Sequence, residues 1–292
     1  MAAGILTRVP LLAKWSGRMI QIKTPQEIEL MRASGLVTAG ALEAVRAAVR
    51  PGVSTKELDR IAEDYIRSHG AVPNFLGYHG FTGTICASIN EEVVHGIPDR
   101  QRRLAEGDNI SIDCGAILEG WHSDSAVTVT VGEPSAEDAA LLDVTERSMW
   151  AGIAAAARGV ANGRGRLTDI SFAVEKTIRK AGRYGIVDGY GGHGIGTEMH
   201  QDPHVLNHGK PGKGPRLVRG LCLAIEPMIT MGSPRTVELD DGWTVVTRDG
   251  SIAAHVEHTM AILDDGVWVT TAPDGGRGRL GDLITSRQPA LA

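Results

Sequence analysis

Two neighbouring stretches of the sequence each carry one acidic residue where a metal ion could be held. Residues 109–116 and 120–129 both alternate between apolar and polar side chains, which predicts two β-strands joined by a short loop. Asp113 lies in the first strand and Asp124 in the second, and residues on one face of an antiparallel pair are about 5 Å apart. Two carboxylates at that distance repel each other unless a cation lies between them. A divalent metal with oxygen ligands is therefore one interpretation, and two solvated acids that never meet are the other.

Glu226, Glu257 and His193 are further candidate ligands. Glu226 follows apolar residues 222–225, which predict a buried strand, and a buried carboxylate needs a partner. Glu257 lies in another alternating stretch, whereas His193 stands in the glycine-rich run 189–194, for which a flexible surface loop is the alternative. That run also fits the dinucleotide pattern G-x-G-x-x-G, but no long strand precedes it and no helix pattern follows it. We therefore interpret its glycines as allowing the backbone to approach a metal site closely.

A weak internal repeat relates two of these acids. An L-x-x-G motif begins at Leu104 and is followed, six residues after its glycine, by Asp113. The same motif begins at Leu217 and is followed at the same distance by Glu226. The predicted helices before each motif share apolar positions at nearly the same offset, about 112 residues. This pattern predicts two related halves, each helix–helix–strand, that face each other with the acids between them; a chance match is the alternative.

If the halves pair, four carboxylates and one imidazole meet in one place. These groups belong to Asp113, Asp124, His193, Glu226 and Glu257. That is too much negative charge for one ion and suits two ions, which shared carboxylates bridge at about 3.5 Å in metal-assisted hydrolysis. A bridging water in such a site loses a proton near neutral pH and attacks a carbonyl. The absence of cysteine ligands argues against a structural zinc site.

The rest of the pattern predicts an α+β protein that positions these groups. Thr24 and Glu27 form a capping box before a helix that ends near residue 51, and Ser54 opens a second helix that ends at Gly70. Later helices are predicted at 137–157 and 168–182, and strands at 85–89, 221–229, 243–247, 253–263 and 267–270. We expect a flexible arm over residues 1–20, a single catalytic domain over 21–272 and a mobile tail over 273–292.

Composition narrows the class of function. The chain has 292 residues with a hydrophobic fraction of 42%, which suits a globular protein with a core. The net charge is -5 and no basic stripe is present, so we expect no nucleic-acid partner. No apolar run approaches the roughly 18 residues that a membrane span needs. The three isolated cysteines favour a reducing compartment, and we expect the protein in the cytoplasm.

Five short strings place the candidate residues in contexts that resemble the methionine aminopeptidases. They are SINE at 88–91, VVHGIP at 93–98, GHGIG at 192–196, IEPM at 225–228 and VEHT at 256–259. The resemblance covers roughly residues 20–272. The span from His200 to Glu226 has no room for the large helical insert of the type II enzymes, so the chain resembles type I. The resemblance implies the pita-bread fold, with two pseudo-symmetric αβ halves around a central metal site.

The resemblance also implies roles for the five candidate ligands. Asp113, Asp124 and Glu257 would hold one metal ion or bridge both, with Asp113 near the substrate's free α-amine. His193 and Glu226 would hold the other ion, and Glu226 would double as the proton shuttle for the attacking water.

Two histidines correspond to the substrate-contacting histidines of that family. They are His95 and His200. The chemistry needs one imidazole to hydrogen-bond the scissile amide nitrogen and another to stabilise the developing oxyanion. Five other histidines are interpreted as ordinary surface or core residues: His79, His122, His204, His208 and His255.

Six residues occupy the positions that line the methionine pocket in the family. They are Phe75, Tyr78, Phe81, Cys86, Met199 and Trp243. Flat aromatic rings and sulfur suit a thioether side chain, and ordinary core packing is the alternative. The family more often has a small residue at position 75 and an aromatic one at 199. Phe75 and Met199 therefore weaken the match for fine substrate preference and not for the chemistry.

The function that the resemblance implies is that of a methionyl aminopeptidase, a dinuclear metallo-exopeptidase. It would remove the initiator methionine from nascent polypeptides with a small second residue, by attack of a metal-bridging hydroxide on the scissile carbonyl. Two divalent ions are implied, and Co, Mn, Fe and Zn all suit the donor set. We expect a monomer whose partners are nascent polypeptide N-termini, with contact at the ribosome left open.

Two other functions are weighed against this one. A proline-specific peptidase of the same fold usually carries an extra N-terminal domain, which the short segment before the first helix would not supply. A non-catalytic pita-bread binding module typically loses the acids or the histidines, and here all seven are present.

Overall fold

The computed structural model describes residues 11–15 and 18–285 of the chain. The α-helices within these ranges are α1 (Pro25–Ala48), α2 (Thr55–Ser68), α3 (Ala136–Ala161), α4 (Leu167–Ala181) and α5 (Arg277–Leu280). The capping boxes predicted at Thr24 and Ser54 are confirmed, with Glu27 and Glu57 as their acidic partners. None of the helices in the described residues combines the length and the apolar composition that crossing a bilayer requires.

The β-strands are mostly short. In the described residues they are β1 (Leu11–Trp15), β2 (Arg18–Ile22), β3 (Val72–Pro73), β4 (Ile85–Ile89), β5 (Glu92–Val94), β6 (Asn109–Leu118), β7 (Trp121–Thr130), β8 (Gly185–Ile186), β9 (Gly192–Gly194), β10 (Gln201–Val205), β11 (Cys222–Ile225), β12 (Met228–Thr230), β13 (Thr236–Glu238), β14 (Val245–Thr247), β15 (Ala253–His255), β16 (Glu257–Ile262) and β17 (Val267–Val269). The two longest, β6 and β7, have ten residues each and carry Asp113 and Asp124.

The largest sheet joins the two halves of the molecule. Its strands follow the order β10-β9-β11-β16-β7-β6-β3, with β4 also paired to β6 and β17 also paired to β16. At its middle, β7 of the first half pairs antiparallel with β16 of the second. Helices α1 and α2 pack on the first half, and α3 and α4 pack on the second. Each half therefore has its own hydrophobic core, with Leu58 and Ile110 fully buried in the first and Ile170 and Met260 in the second.

The internal repeat is visible in the backbone. Gly107 has a φ of 88° and Gly220 a φ of 86°, in the left-handed region that favours glycine. Strands β6 and β11 begin two residues after these glycines. A Cβ atom at Gly220 would also lie 2.4 Å from the carbonyl oxygen of Lys23. Equivalent turns thus lead into the strands before Asp113 and Glu226, and the predicted α+β architecture of two halves is confirmed.

Both ends of the chain differ from the expected arm and tail where the structure describes them. Strands β1 and β2 form an antiparallel hairpin, and Ile20 is buried in the second core. Leu280 and Ile284 are also buried, and Ile284 forms a β-bridge with Val267. Residues 273–285 therefore pack against the second half through these apolar side chains. Residues 1–10, 16–17 and 286–292 lie outside the described part of the chain.

Candidate metal centre and active site

Four adjacent strands of the large sheet place three acidic residues in one row. Asp113 of β6 lies opposite Ala126 of β7, and Ala126 lies opposite Glu257 of β16. Residues directly opposite each other share a face of the sheet, so Asp113 and Glu257 extend to the same side. Glu226 follows Ile225, which pairs with His258, the neighbour of Glu257. The register thus brings carboxylates from both halves to one face.

The position of Asp124 differs from the expected one. It lies opposite Gly115 and not opposite Asp113, so the two aspartates are diagonal neighbours. Diagonal pairs are separated by about 7–8 Å between Cα atoms, rather than the shorter distance of a direct pair. Because Asp124 is two residues before Ala126, it still shares the face that carries Asp113. Across this diagonal the two carboxylates still come close enough to interact, and two like charges in contact favour a cation between them.

His193 enters the site from β9, at the side of the second half. Its Nε2 atom is 3.5 Å from Oε1 of Glu226 and 4.0 Å from Oδ2 of Asp124. Its Nδ1 atom is 3.0 Å from the carbonyl oxygen of Gly194, a contact that places the proton on Nδ1 and leaves the Nε2 lone pair facing the carboxylates. A Cβ atom on Gly192 would lie 2.1 Å from the carbonyl oxygen of Ala224. The glycine run therefore lets β9 pack closely on β11, as the sequence predicts.

The charges of this cluster fit bound cations. Oδ1 of Asp113, Oδ1 of Asp124 and Oε1 of Glu257 are buried and accept no hydrogen bond. Burial raises the pKa of Asp113 to about 6, and burial beside the other carboxylates raises the pKa values of Asp124 and Glu257 well above their usual range. Ligand atoms of Asp124, His193 and Glu257 lie within 4.8 Å of one another. Oxygen-rich donors with one imidazole suit borderline divalent ions, and such ions remove the electrostatic cost of this burial.

His255 was assigned no function from the sequence, yet it lies in this cluster. Its side chain is 2% exposed, and its Nε2 atom is 3.6 Å from Oε2 of Glu226. Burial alone would lower the pKa of His255, but the carboxylates of Glu226 and Asp113 outweigh burial and raise it. Burial would likewise raise the pKa of Glu226, and its histidine neighbours lower it instead. A signal was available, because His255 stands two residues before Glu257 in an alternating stretch.

His95 and His200 lie beside the acids as neutral imidazoles. Burial lowers the pKa of His200 to about 4 and also lowers the pKa of His95. The Nδ1 atom of His200 is 2.9 Å from the hydroxyl oxygen of Tyr78, and its ring centroid is 4.4 Å from that of His193. His95 has a φ of 62°, which a residue with a Cβ adopts at a cost of roughly 1 kcal/mol or more. Such strain is typical of functional sites.

One cavity of about 360 Å³ contains all of these groups. Its lining includes the five candidate ligands, both histidines expected to contact substrate and all six candidate pocket residues, together with His79, Val94 and His255. Phe75, Phe81, Cys86 and Met199 form a buried apolar cluster against which Trp243 packs. The side chains of Phe75 and Met199 thus line the same wall of the cavity.

The other histidines without an assigned function differ in their distance from the site. His79 lines the same cavity, and His204 lines a neighbouring cavity that it shares with His193 and Glu226. Nδ1 of His122 is 2.6 Å from Oδ1 of Asn74, and Nε2 of His208 is 3.1 Å from Oδ1 of Asp188.

Comparisons with known proteins agree with this geometry. Residues 29–264 match metallopeptidase family M24. The chain is 53% identical over 267 residues to methionine aminopeptidase 1 of Mycobacterium tuberculosis, covering 90% of this chain and 98% of that protein. It is 51% identical to a methionine aminopeptidase of Clostridium acetobutylicum over 87% of this chain and 99% of the relative. Among solved structures, a methionine aminopeptidase from Rickettsia prowazekii matches with a TM-score of 0.82 and 38% identity, over 87% of this chain and all of that one. A prolidase from Pyrococcus furiosus, 21% identical with a TM-score of 0.66 over 86% of this chain and 65% of that one, shares the fold.

Proposed function

This chain belongs to the methionine aminopeptidases of metallopeptidase family M24, and we propose which residues of its cavity carry out the removal of an N-terminal methionine. Its pita-bread fold, predicted from the sequence, is confirmed by the structural relatives. The enzyme is a metal-dependent hydrolase, and its substrates are polypeptide N-termini. The number of ions, their identity and the role of each residue belong to the proposal.

The proposed metal ligands are Asp113, Asp124, His193, Glu226 and Glu257. Asp113, Asp124 and Glu257 would hold or share one ion, and His193 and Glu226 would hold a second. The support is that Asp113, Asp124 and Glu257 each bury one carboxylate oxygen without a hydrogen-bond partner and have raised pKa values. When bound, two divalent ions polarise the scissile carbonyl and lower the pKa of a water towards neutrality. Co, Mn, Fe and Zn all suit this donor set.

The apolar part of the cavity binds the methionine side chain. Phe81 and Trp243 meet edge to face with their ring centroids 5.0 Å apart, and Met199 and Cys86 add sulfur to the same wall. Sulfur and aromatic edges are favourable neighbours for a thioether. Asp113 lies at the junction of this wall and the acids, where its carboxylate receives the substrate's α-ammonium group. A closed pocket next to that carboxylate limits the enzyme to one residue at the N-terminus.

Glu226 and the two neutral histidines handle the proton and the developing charge. Glu226 accepts a proton as water attacks the carbonyl carbon and returns it to the amide nitrogen as the carbon–nitrogen bond breaks. The hydroxyl of Tyr78 donates to Nδ1 of His200, so that the opposite nitrogen carries a proton and donates to the oxyanion. His95 hydrogen-bonds the scissile amide nitrogen. The low pKa of His200 keeps it neutral at neutral pH, which suits this role.

We further propose a monomer in the cytoplasm that meets nascent chains near the ribosome. Three buried cysteines are free thiols, as a reducing compartment keeps them.

The observation that carries the assignment is that the acids, the histidines and the apolar wall all line one cavity. Its test is release of the first residue from Met-Ala-Ser, Leu-Ala-Ser and Ala-Pro peptides by chelated protein reloaded with each divalent ion. We expect methionine release from Met-Ala-Ser alone. Cleavage of only the proline peptide would favour the prolidase-like alternative. No cleavage by folded, metal-loaded protein would favour a binding module.

A further inference from the structure

The Glu226 carboxylate lies between two imidazoles. Its Oε1 atom is 3.5 Å from Nε2 of His193, and its Oε2 atom is 3.6 Å from Nε2 of His255. His193 belongs to the proposed ligand set, but the steps above give His255 no task. Nε2 of His255 is buried and has no hydrogen-bond partner closer than this carboxylate. A buried nitrogen without a partner costs stability, so this arrangement needs an explanation.

The backbone of His255 is held by the first half of the molecule. Its N–H donates to the hydroxyl of Thr128 at 3.0 Å, and its carbonyl accepts from the same hydroxyl at 2.6 Å. On its other side, His255 pairs with Met228 of β12. The backbone that carries this imidazole is thus held by strands on both sides.

We propose that His255 is a positioning residue whose Nε2–H donates to Oε2 of Glu226 and thereby turns Oε1 towards the ion shared with His193. This inference rests on the proposed role of Glu226 as a ligand. A movement of about half an ångström would bring the 3.6 Å contact to hydrogen-bond length. The two oxygens of Glu226 then have separate tasks: Oε1 faces the metal side, and Oε2 is fixed from behind.

The proton-shuttle role of Glu226 is compatible with this bond. A carboxylate oxygen accepts more than one hydrogen bond. Oε2 therefore accepts a hydrogen bond from Nε2–H of His255 and still accepts one from water. Of the two imidazoles beside the Glu226 carboxylate in the described residues, His255 is the one that donates, because Nε2 of His193 faces it with a lone pair. Partners of this kind orient metal ligands, and their loss typically weakens metal affinity by about 10–100-fold.

Two substitutions separate the donor from the bulk of the ring. His255→Gln keeps an N–H donor near the same place, and His255→Leu removes it while filling the space. His208→Gln and His208→Leu are the matched controls, because His208 lies at the surface beside Asp188. Each purified protein is stripped with chelator, titrated with Mn²⁺ by calorimetry, and examined by X-ray absorption for the number of imidazoles around the metal.

We expect His255→Leu to weaken Mn²⁺ binding by about 10–100-fold and His255→Gln to stay within about threefold of wild type. The imidazole count should be the same in all five proteins. Unchanged Mn²⁺ affinity in His255→Leu would overturn the proposal. A lower imidazole count in both His255 variants would also overturn it, by making His255 a direct ligand. Wild-type protein that binds Mn²⁺ but leaves Met-Ala-Ser intact would count against the proposed function and not against this inference.

Discussion

The two halves of the molecule share their elements but differ where they meet the site. In the first half, β6 and β7 run for ten residues each without interruption, and Asp113 and Asp124 lie within them. In the second half, the corresponding strands are broken. β11 ends at Ile225 and β12 begins at Met228, with Pro227 between them, and β15 and β16 are separated by Val256.

The breaks explain why the halves contribute different ligands. The unbroken strands β6 and β7 hold the short side chains of Asp113 and Asp124 on one face of the sheet. We call these two carboxylates the anionic floor of the site. Proline cannot donate to a sheet ladder, so the second pair of strands bends at Glu226. Glu226 lies at this break, His255 and Glu257 lie on either side of the break at Val256, and all three line the same cavity as the aspartates. His193 reaches that cavity from β9. The difference teaches that a symmetric scaffold can support an asymmetric site when one copy of the hairpin is interrupted.

The sharpest way to break this comparison is to remove one acid of the floor. Asp124→Asn should abolish binding of at least one ion and lower kcat/KM by at least about 10³-fold, because the ions supply the activated water. Metal analysis and Met-Ala-Ser turnover measure both effects. Asp143→Asn is the control, since that acid pairs with Arg147 on the exposed side of α3. A full metal complement with normal turnover would remove Asp124 from the ligand set.

A second-half residue outside the ligand set should behave differently. His200→Ala should lower kcat by about 10²-fold and leave the metal content unchanged, because its proposed role is to donate to the oxyanion. Tyr78→Phe should produce a smaller loss of kcat, since it only removes the bond that orients His200. Stopped assays with parallel metal analysis test both variants. If His200→Ala loses its metal, the proposed separation between metal ligands and the histidines that handle protons is wrong.

The smallest expected effect concerns how the buried charge of Asp113 changes the free energy of unfolding of the metal-free protein. Burial raises the folded-state pKa of Asp113 from 3.8 to about 6, so in chelated protein its charge destabilises the fold fully above about pH 6 and not at all below its unfolded pKa. Asp113→Asn should therefore raise the free energy of unfolding of the metal-free protein by roughly 3 kcal/mol at pH 7. The gain should shrink as the pH falls through 6 towards 4.

Urea unfolding of chelated wild type, Asp113→Asn and the exposed control Asp240→Asn at pH 7, 5 and 4 measures this gain. A metal-free wild type that is more stable than Asp113→Asn at pH 7 would show that the buried charge of Asp113 does not destabilise the fold.

Much of this protein can be deduced from neighbours along the chain. The capping box at Thr24 and the left-handed turn at Gly107 depend only on nearby residues, and local sequence signals predict them. The alternation around Asp113 identifies which face its side chain occupies, and the apolar run before Glu226 predicts its burial.

Only the tertiary structure decides which strands lie side by side. Alternation specifies a face but not a partner, so the diagonal between Asp113 and Asp124 and the contact of β7 with β16 could not be deduced from it. For the same reason His255 was assigned no function from the sequence. Its proposed role depends on its contact with Glu226, which follows β11. These pairings follow from burying two separate hydrophobic cores at once, and that requirement acts over the whole chain rather than on any one segment.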